Sequence, residues 1–190
     1  MLNRENAPTP PAASPEVLTG EQKARYVRSL FARVASHYDL ANGFITGGMH
    51  RVWRRATVRR AVSLLPPRAG GRPVFGLDLC CGTGDYVFLL REALGENVRL
   101  VGLDFCEPMI RKGVERARRA GAGPETLWVM GDATDLSAFR DAAFDVATVG
   151  FGLRNVVNLP AALREAARVL RPGGVFISLE LTRPERGPLR

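Results

Sequence analysis

The sequence predicts a doubly wound α/β fold, in which a parallel sheet of Rossmann-like type carries helices on both faces. From residue 74 to residue 181, short apolar runs alternate with segments of helical period. That alternation implies parallel strands joined by right-handed crossovers. The chain has 190 residues, a length that suits one domain with an appendage. Hydrophobic residues make up 46% of it and charged residues 24%, which excludes a disordered or fibrous protein.

The region before the sheet divides into a tail, a helical segment and a linker. Residues 1–19 hold four prolines among alanines and polar residues, and we expect a disordered tail there. Residues 20–66 are helical: one helix begins near Thr19, a short segment covers residues 38–45, and a basic helix covers residues 49–65. The prolines and glycines of residues 67–73 predict a linker.

The remaining residues, 74–190, form the predicted core. Its strands are expected at residues 74–80, 98–104, 126–130, 144–150 and 175–181, because these runs are short, apolar and rich in branched side chains. Its helices are expected at residues 85–94, 108–120 and 159–170, where apolar residues recur every three to four positions. No internal repeat interrupts this order.

Charge and cysteine content narrow the class of partner and the compartment. The 27 basic and 19 acidic residues leave a net charge of +8, which favours an anionic partner such as a phosphate-bearing ligand, a nucleic acid or an acidic membrane. Three cysteines, two of them adjacent, do not make a disulfide framework. No metal-ligand spacing, secretory signal or membrane span is visible. These observations predict a cytoplasmic protein in a reducing compartment, soluble or peripheral to a membrane.

Acidic residues and glycines follow successive strands, where ligands bind in open parallel sheets. Gly82 and Gly84 follow the first strand and allow a tight turn with close approach of a ligand. Asp104 ends the second strand, 20 residues after Gly84, an offset that suits hydrogen bonds to ribose hydroxyls. Asp132 follows the third strand and could accept a hydrogen bond from an adenine amino group. Each acid alone fits a helix cap or a solvated loop, but together they favour an adenosine site.

The type of adenosine cofactor follows from what this pattern lacks. A dinucleotide fingerprint needs a third glycine where the chain has Val87, and a P-loop needs a Gly-Lys-Ser/Thr ending that is missing. Asp78 and Asp85 add negative charge where a pyrophosphate would lie. That field suits the cationic amino group and sulfonium of S-adenosylmethionine. The pattern therefore predicts a methyltransferase.

The sequence resembles the menaquinone and ubiquinone biosynthesis C-methyltransferases, which are class I S-adenosylmethionine-dependent enzymes. The most particular motifs are the Tyr-Asp…His-Arg-x-Trp segment, which ends at Trp53, and the Phe-Gly-Leu-Arg-Asn run, which ends at Asn155. The resemblance covers about residues 25–184 and is carried by residues 27–53, 77–85, 102–105, 131–133, 151–156 and 168–174, together with Glu180.

The resemblance implies a seven-stranded sheet, of which this sequence carries five strands; strands 6 and 7 of the family are missing and the fifth strand is left as an edge. It also implies that residues 20–66 cap the substrate side. Cys106 stands where the family usually has serine. The implied cofactor-binding residues are Asp78, Gly82, Thr83, Gly84, Asp104, Phe105, Asp132 and Ala133, and the implied substrate-binding residues are Asn42, Arg51 and Asn155.

The implied reaction is methyl transfer to a ring carbon of a prenylated quinol, as when demethylmenaquinol becomes menaquinol. Arg154 would stabilise the ring oxyanion as a fixed cation. His50 and Asp39 are equal candidates for the proton acceptor, a water held by Arg154 is a third, and Tyr38 would help to orient the ring. A purely local role at the start of a helix fits His50 equally well.

Several alternatives stay open. The arginines at positions 51, 54, 55, 59 and 60 form either a solvated face or a surface for docking on an anionic membrane. A nucleic-acid methyltransferase is disfavoured, because no Asp/Asn-Pro-Pro-aromatic run and no aromatic-studded basic stripe is present; nucleic acid is therefore not an expected partner. A non-catalytic or partner-dependent cofactor-binding subunit, and a homo-oligomer, also remain compatible with the sequence.

Overall fold

The computed structural model describes residues 20–34, 47–66, 71–121 and 125–181. The predicted tail, the segment at residues 38–45 and residues 67–70 of the predicted linker lie outside these ranges. Five α-helices are described: α1 (Gly20–Val34), α2 (Met49–Leu64), α3 (Asp85–Leu94), α4 (Glu107–Arg119) and α5 (Leu159–Val169). The five described strands are β1 (Val74–Leu79), β2 (Val98–Asp104), β3 (Thr126–Met130), β4 (Phe144–Gly150) and β5 (Leu170–Leu179).

The strands form one sheet in the order β3-β2-β1-β4-β5, and every neighbouring pair is parallel. The predicted doubly wound α/β class is confirmed. Strand order reverses between β1 and β4. After β1 the chain continues to β2 and β3 on one side, and after β4 it continues to β5 on the other side. Such a reversal opens a crevice at the carboxyl ends of the two strands.

The core consists of two apolar layers, one on each face of the sheet. On β1, Leu77 and Leu79 belong to one layer and Val74 to the other, as the two-residue period of a strand requires. Helix α5 buries Ala162, Ala166 and Val169 in the first layer. The second layer is formed by α2 and α3, which contribute Val58, Ala61, Tyr86, Val87 and Leu90. Helix α2 therefore packs against the sheet as an integral part of the core.

The fifth strand departs from the prediction. It begins at Leu170 instead of position 175 and ends at Leu179. Leu170 pairs with Phe144, and the register then shifts before Val175 pairs with Val146. The Pro-Gly-Gly sequence at residues 172–174 is thus an irregularity within the strand, not a turn that precedes it. Among the described strands, β5 and β3 are the two edges of the sheet.

Candidate active site

The loop after β1 turns back through residues with left-handed backbone. Cys80, Gly82 and Gly84 have φ values of +53°, +55° and +87°, and the Gly84 amide donates to the Cys81 carbonyl at 2.8 Å. A side chain at position 82 would point into open space, so the backbone of Gly82 faces the crevice without obstruction. The predicted tight turn is present, and α3 begins directly after it.

The sequence predicted that Gly84 allows a ligand to approach closely, but the structure gives a different reason for this glycine. A Cβ atom at Gly84 would collide with the indole ring of Trp128, and one at Gly113 would collide with the same ring. Trp128 therefore lies against the back of the loop, in a space that two glycines leave free. Glycine is required at position 84 by this packing and by the positive φ. A Cβ there would point into the protein interior and not toward a ligand.

Asp104 joins the end of β2 to the glycine loop. Its carboxylate accepts hydrogen bonds from the backbone amides of Gly82 and Cys106, each at 2.8 Å. The side chain is buried, and burial raises the pKa of this carboxyl above its usual value. Because two amides hold it at the crevice, its remaining lone pairs are in a fixed position to accept from a ligand.

The end of β3 supplies an exposed acid and a buried alanine. Asp132 accepts hydrogen bonds from the backbone amide and the hydroxyl of Thr134, both at 2.8 Å. Ala133 is buried beside it. Together with Phe105 and Met109, these two residues line one wall of a cleft at the carboxyl ends of the strands. Clefts in this position are the usual place for small-molecule sites in open parallel sheets.

The opposite wall of the cleft comes from the segment after β4. Phe151, Gly152 and Asn155 line it, so the predicted substrate residue Asn155 faces the same space as Asp104. Phe151 has a φ of +59°, an uncommon conformation for a large side chain. A Cβ at Gly152 would come within 2.5 Å of the Cβ of Cys80, which shows how closely the two loops approach.

A smaller inner cavity adjoins the cleft and shares Cys80, Gly82 and Gly150 with it. Asp78, buried at the end of β1, is part of its lining. One carboxylate oxygen of Asp78 accepts from the Thr148 hydroxyl at 2.8 Å. The other, Oδ2, is buried without a hydrogen-bond partner among the described residues. Burial raises the pKa of Asp78 to about 8, so the carboxyl of the free protein is mostly protonated at neutral pH.

Asp85, at the start of α3, is flanked by two guanidinium groups. It pairs with Arg54 at 2.6 Å and with Arg116 at 3.0 Å. Arg116 also donates to the carbonyl and the hydroxyl of Thr83, at 2.9 and 2.8 Å, and so holds the glycine loop to α4. The expected field of two negative charges from Asp78 and Asp85 is therefore wrong for the free protein: one acid is largely neutral and the other is balanced by arginines.

Arg154 lies on a short 3-10 helix, Leu153–Asn155, at the outer edge of the cleft. Its side chain is 48% exposed, with Nη1 3.6 Å from an oxygen of Glu180, and its guanidinium lies over the Phe151 ring, 5.7 Å from the centroid. Glu180 in turn accepts from the Leu153 amide at 2.8 Å. Arg154 thus lies beside the cleft but does not line it, whereas its neighbour Asn155 does.

The other predicted catalytic and substrate residues are only partly placed. His50 is buried near the start of α2 and lines a separate groove with Arg51, Arg54 and Arg55. The described residues therefore do not bring His50 and Arg154 to one cavity. Tyr38, Asp39 and Asn42 lie outside the described residues.

The family of the chain follows from its sequence relatives. A model of the ubiE/COQ5 methyltransferase family matches residues 18–190. A demethylmenaquinone methyltransferase of Roseiflexus castenholzii is 43% identical over 90% of this chain and 66% of its own length. A ubiquinone/menaquinone biosynthesis C-methyltransferase, UbiE, of Dinoroseobacter shibae is 42% identical over 85% of this chain and 61% of its own length. The chain belongs to the ubiE/COQ5 methyltransferase family.

Membership of this family confirms the resemblance inferred from the motifs. The chain spans about two thirds, or slightly less, of the length of these relatives. A SAM-dependent methyltransferase of Aquifex aeolicus has a similar fold, with a TM-score of 0.56 and 18% identity over 69% of this chain and 68% of that one. This likeness supports the assignment of the sheet and its helices.

The described ranges contain neither a candidate membrane span nor a candidate metal cluster. No described helix is both long enough and apolar enough to cross a bilayer. No group of three or more His, Cys, Asp or Glu side chains in the described part of the chain is arranged to hold a metal ion.

Proposed function

We propose that this ubiE/COQ5 family chain binds S-adenosylmethionine and transfers its methyl group to a ring carbon of a prenylated quinol. The observation that carries the proposal is the two-part site at the carboxyl ends of the strands. An open cleft with strand-end carboxylates continues into a small cavity that contains the unpartnered oxygen of Asp78. The names of the relatives supply the class of substrate.

The residues of the site suit each part of this cofactor. Asp104 is in place to accept hydrogen bonds from ribose hydroxyls, and Asp132, Phe105 and Ala133 form a wall for adenine. The Asp78 oxygen suits the ammonium of the methionine part, because a buried acceptor without a partner is stabilised by a cationic donor. When bound, the cofactor supplies an electrophilic methyl group on a sulfonium.

The substrate side of the proposal rests on the segment after β4. Asn155 lines the cleft and Arg154 lies at its rim, held between Glu180 and the Phe151 ring. A guanidinium in this position would stabilise the oxyanion that develops when a quinol hydroxyl loses its proton. For the proton acceptor, the separate groove of His50 favours Asp39 or a water held by Arg154 over His50.

Two measurements on the full chain test the proposal. Calorimetric titration with S-adenosylhomocysteine should show one site, and methyl transfer should be detected with a short-chain demethylmenaquinol or its benzoquinol counterpart. Titration with NAD is the matched control for the cofactor. Binding of the dinucleotide without binding of S-adenosylhomocysteine would overturn the assignment of the site.

Arg154→Ala should reduce transfer by at least a hundredfold, because a preorganised cation at the oxyanion is removed. Affinity for S-adenosylhomocysteine should change less than threefold, since Arg154 does not line the cleft. The matched control is Arg164→Ala, which removes an exposed arginine on α5. A large loss of cofactor affinity in Arg154→Ala would show that Arg154 belongs to the cofactor site.

We also propose that α2 docks the protein on the cytoplasmic face of an anionic membrane, where a prenylated substrate resides. Arg51, Arg55 and Arg59 are exposed and lie four residues apart on the helix, with the exposed apolar side chain of Val52 beside them. Arg54 does not belong to this surface, because it is buried against Asp85. Each exposed arginine near such a surface contributes about 1 kcal/mol.

Sedimentation with vesicles of phosphatidylglycerol and phosphatidylcholine tests this docking. Arg55→Gln with Arg59→Gln should weaken binding at low salt about tenfold or more. The matched control is Arg118→Gln with Arg119→Gln, which removes two exposed charges from α4. Equal losses in both double variants, or binding that is indifferent to anionic lipid, would refute a specific role of α2.

A further inference from the structure

Arg54 reaches the predicted cofactor site from a helix that packs on one face of the sheet. It belongs to α2, which precedes the first strand, yet its side chain is only 7% exposed. The guanidinium donates to Asp85 through Nη1 at 2.6 Å and lies over the Phe151 ring, 5.2 Å from the centroid. These contacts orient the guanidinium at the inner cavity, whose lining includes Arg54.

Three residues that line this cavity carry a buried polar atom with no hydrogen-bond partner among the described residues. These atoms are the donor Nε of Arg54, the acceptor Oδ2 of Asp78 and the hydroxyl of Tyr86, and only the first two belong to ionisable groups of opposite charge. Buried polar atoms are rarely left without a partner, because each costs free energy comparable to a lost hydrogen bond. A cationic donor and a carboxyl acceptor in the lining of one cavity complement a ligand group that carries both a carboxylate and an ammonium.

We propose that Arg54 binds the carboxylate of the cofactor's amino-acid end while Asp78 accepts its ammonium. This inference rests on the proposed function, since it assigns the orientation of S-adenosylmethionine within that same site. It adds a cofactor-binding residue from the N-terminal helical segment to those at the strand ends. The packing of α2 on the sheet and the binding of the cofactor in the inner cavity would then stabilise each other. Both depend on the position of the Arg54 guanidinium.

A purely structural role is the competing explanation. Arg54 pairs with Asp85, and Asp85 stands at the start of the helix that follows the glycine loop. Loss of that pair would disturb the loop and weaken every adenosine ligand to a similar degree. The two explanations therefore differ in how the effect depends on the chemistry of the ligand.

Calorimetric titration of the full chain with three ligands separates the explanations. S-adenosylmethionine carries both the carboxylate and the ammonium, its decarboxylated form keeps only the ammonium, and 5′-methylthioadenosine has neither. Arg54→Met should weaken S-adenosylmethionine about 10- to 100-fold, the range of a charge-assisted hydrogen bond. Its affinity for the other two ligands should change less than threefold. Asp78→Asn should weaken both amine-containing ligands and spare 5′-methylthioadenosine.

Arg54→Lys is the second variant, because it keeps a positive charge for Asp85 but lacks the Nε donor. It should show the same selective loss, and thermal unfolding of each variant checks its fold. Equal losses for all three ligands, or no loss in either Arg54 variant, would overturn the assignment of Arg54. A loss shared by both amine-containing ligands would also overturn it, since the carboxylate would not be the group recognised. If the wild-type chain binds none of the three, the proposed function itself fails.

Discussion

The carboxyl of Asp78 should give this protein a measurable dependence of stability on pH, and Asp78→Asn should remove it. Burial raises the pKa of Asp78 from 3.8 to about 8 in the folded protein, while the unfolded chain exposes it to water. The folded state therefore binds this proton more tightly than the unfolded state. Its contribution to stability is fully present below pH 3.8 and is lost as the pH rises through about 8.

The size of the effect follows from the two pKa values. Each pH unit between them changes the free energy of unfolding by about 1.4 kcal/mol for one proton. From pH 5 to pH 7, the difference in free energy of unfolding between Asp78→Asn and wild type should therefore shift by about 2.7 kcal/mol in favour of the variant. The amide oxygen of the variant still accepts from the Thr148 hydroxyl, so the remaining contact of this side chain is preserved.

Urea unfolding at pH 5, 6, 7 and 8, followed by circular dichroism, measures this difference directly. Asp132→Asn is the matched control, because it makes the same change at an exposed strand-end carboxyl. Comparison of each variant with wild type at the same pH cancels the titration of the other groups. A difference that stays constant from pH 5 to pH 8 would refute the reasoning, because Asp78 would then be ionised in the folded protein throughout.

Three further outcomes are expected. Wild-type affinity for S-adenosylhomocysteine, measured by calorimetry, should rise up to about tenfold per pH unit from pH 6 toward 8, since the ligand's ammonium requires an ionised Asp78; a flat profile would contradict this. In urea unfolding, Gly84→Ala should cost about 2–5 kcal/mol from its left-handed backbone and its collision with Trp128. Gly48→Ala, at a left-handed position with a φ of +82° and open space, should cost only the backbone penalty of about 1–2 kcal/mol. Equal costs would remove Trp128 from the explanation. Hydrogen bonds from Arg168 lower the pKa of Glu165 to about 2, so the stability advantage of wild type over Glu165→Gln should shrink as the pH falls from 4.5 to 2; an unchanged advantage in acid unfolding curves would argue against these bonds.

Periodicity alone predicted most of the fold. The bounds of α3, β2, β3 and β4 agree with the prediction, because these elements are short and their apolar residues follow a clear pattern. The start of β5 was missed, since Pro-Gly-Gly in a sequence indicates a turn. In the structure, the pairing of Leu170 with Phe144 extends the strand across those residues. Pairing with a distant strand is not visible in a local pattern.

The strand-end residues of the site could also be predicted. In a parallel sheet, all strands point the same way and their carboxyl ends lie on the same side. Gly82, Asp104 and Asp132, which follow or end three strands, were therefore expected to lie close together. The structure places all three in the lining of one cleft. Asn155 reaches the same cleft from the segment after β4.

The state of these groups was decided by contacts between residues far apart in the chain. Nothing local shows that Arg54, within a run of arginines, is the one buried against Asp85, or that Trp128 fills the space behind Gly84. The pKa of Asp78 likewise depends on what surrounds it from several elements. The sequence determined which chemical groups lie at the crevice, because the local pattern shows where each strand ends and which residues follow it. Only tertiary packing determined which of them are charged, paired or left without a partner, because desolvation and ion pairing depend on neighbours that the order of residues does not reveal.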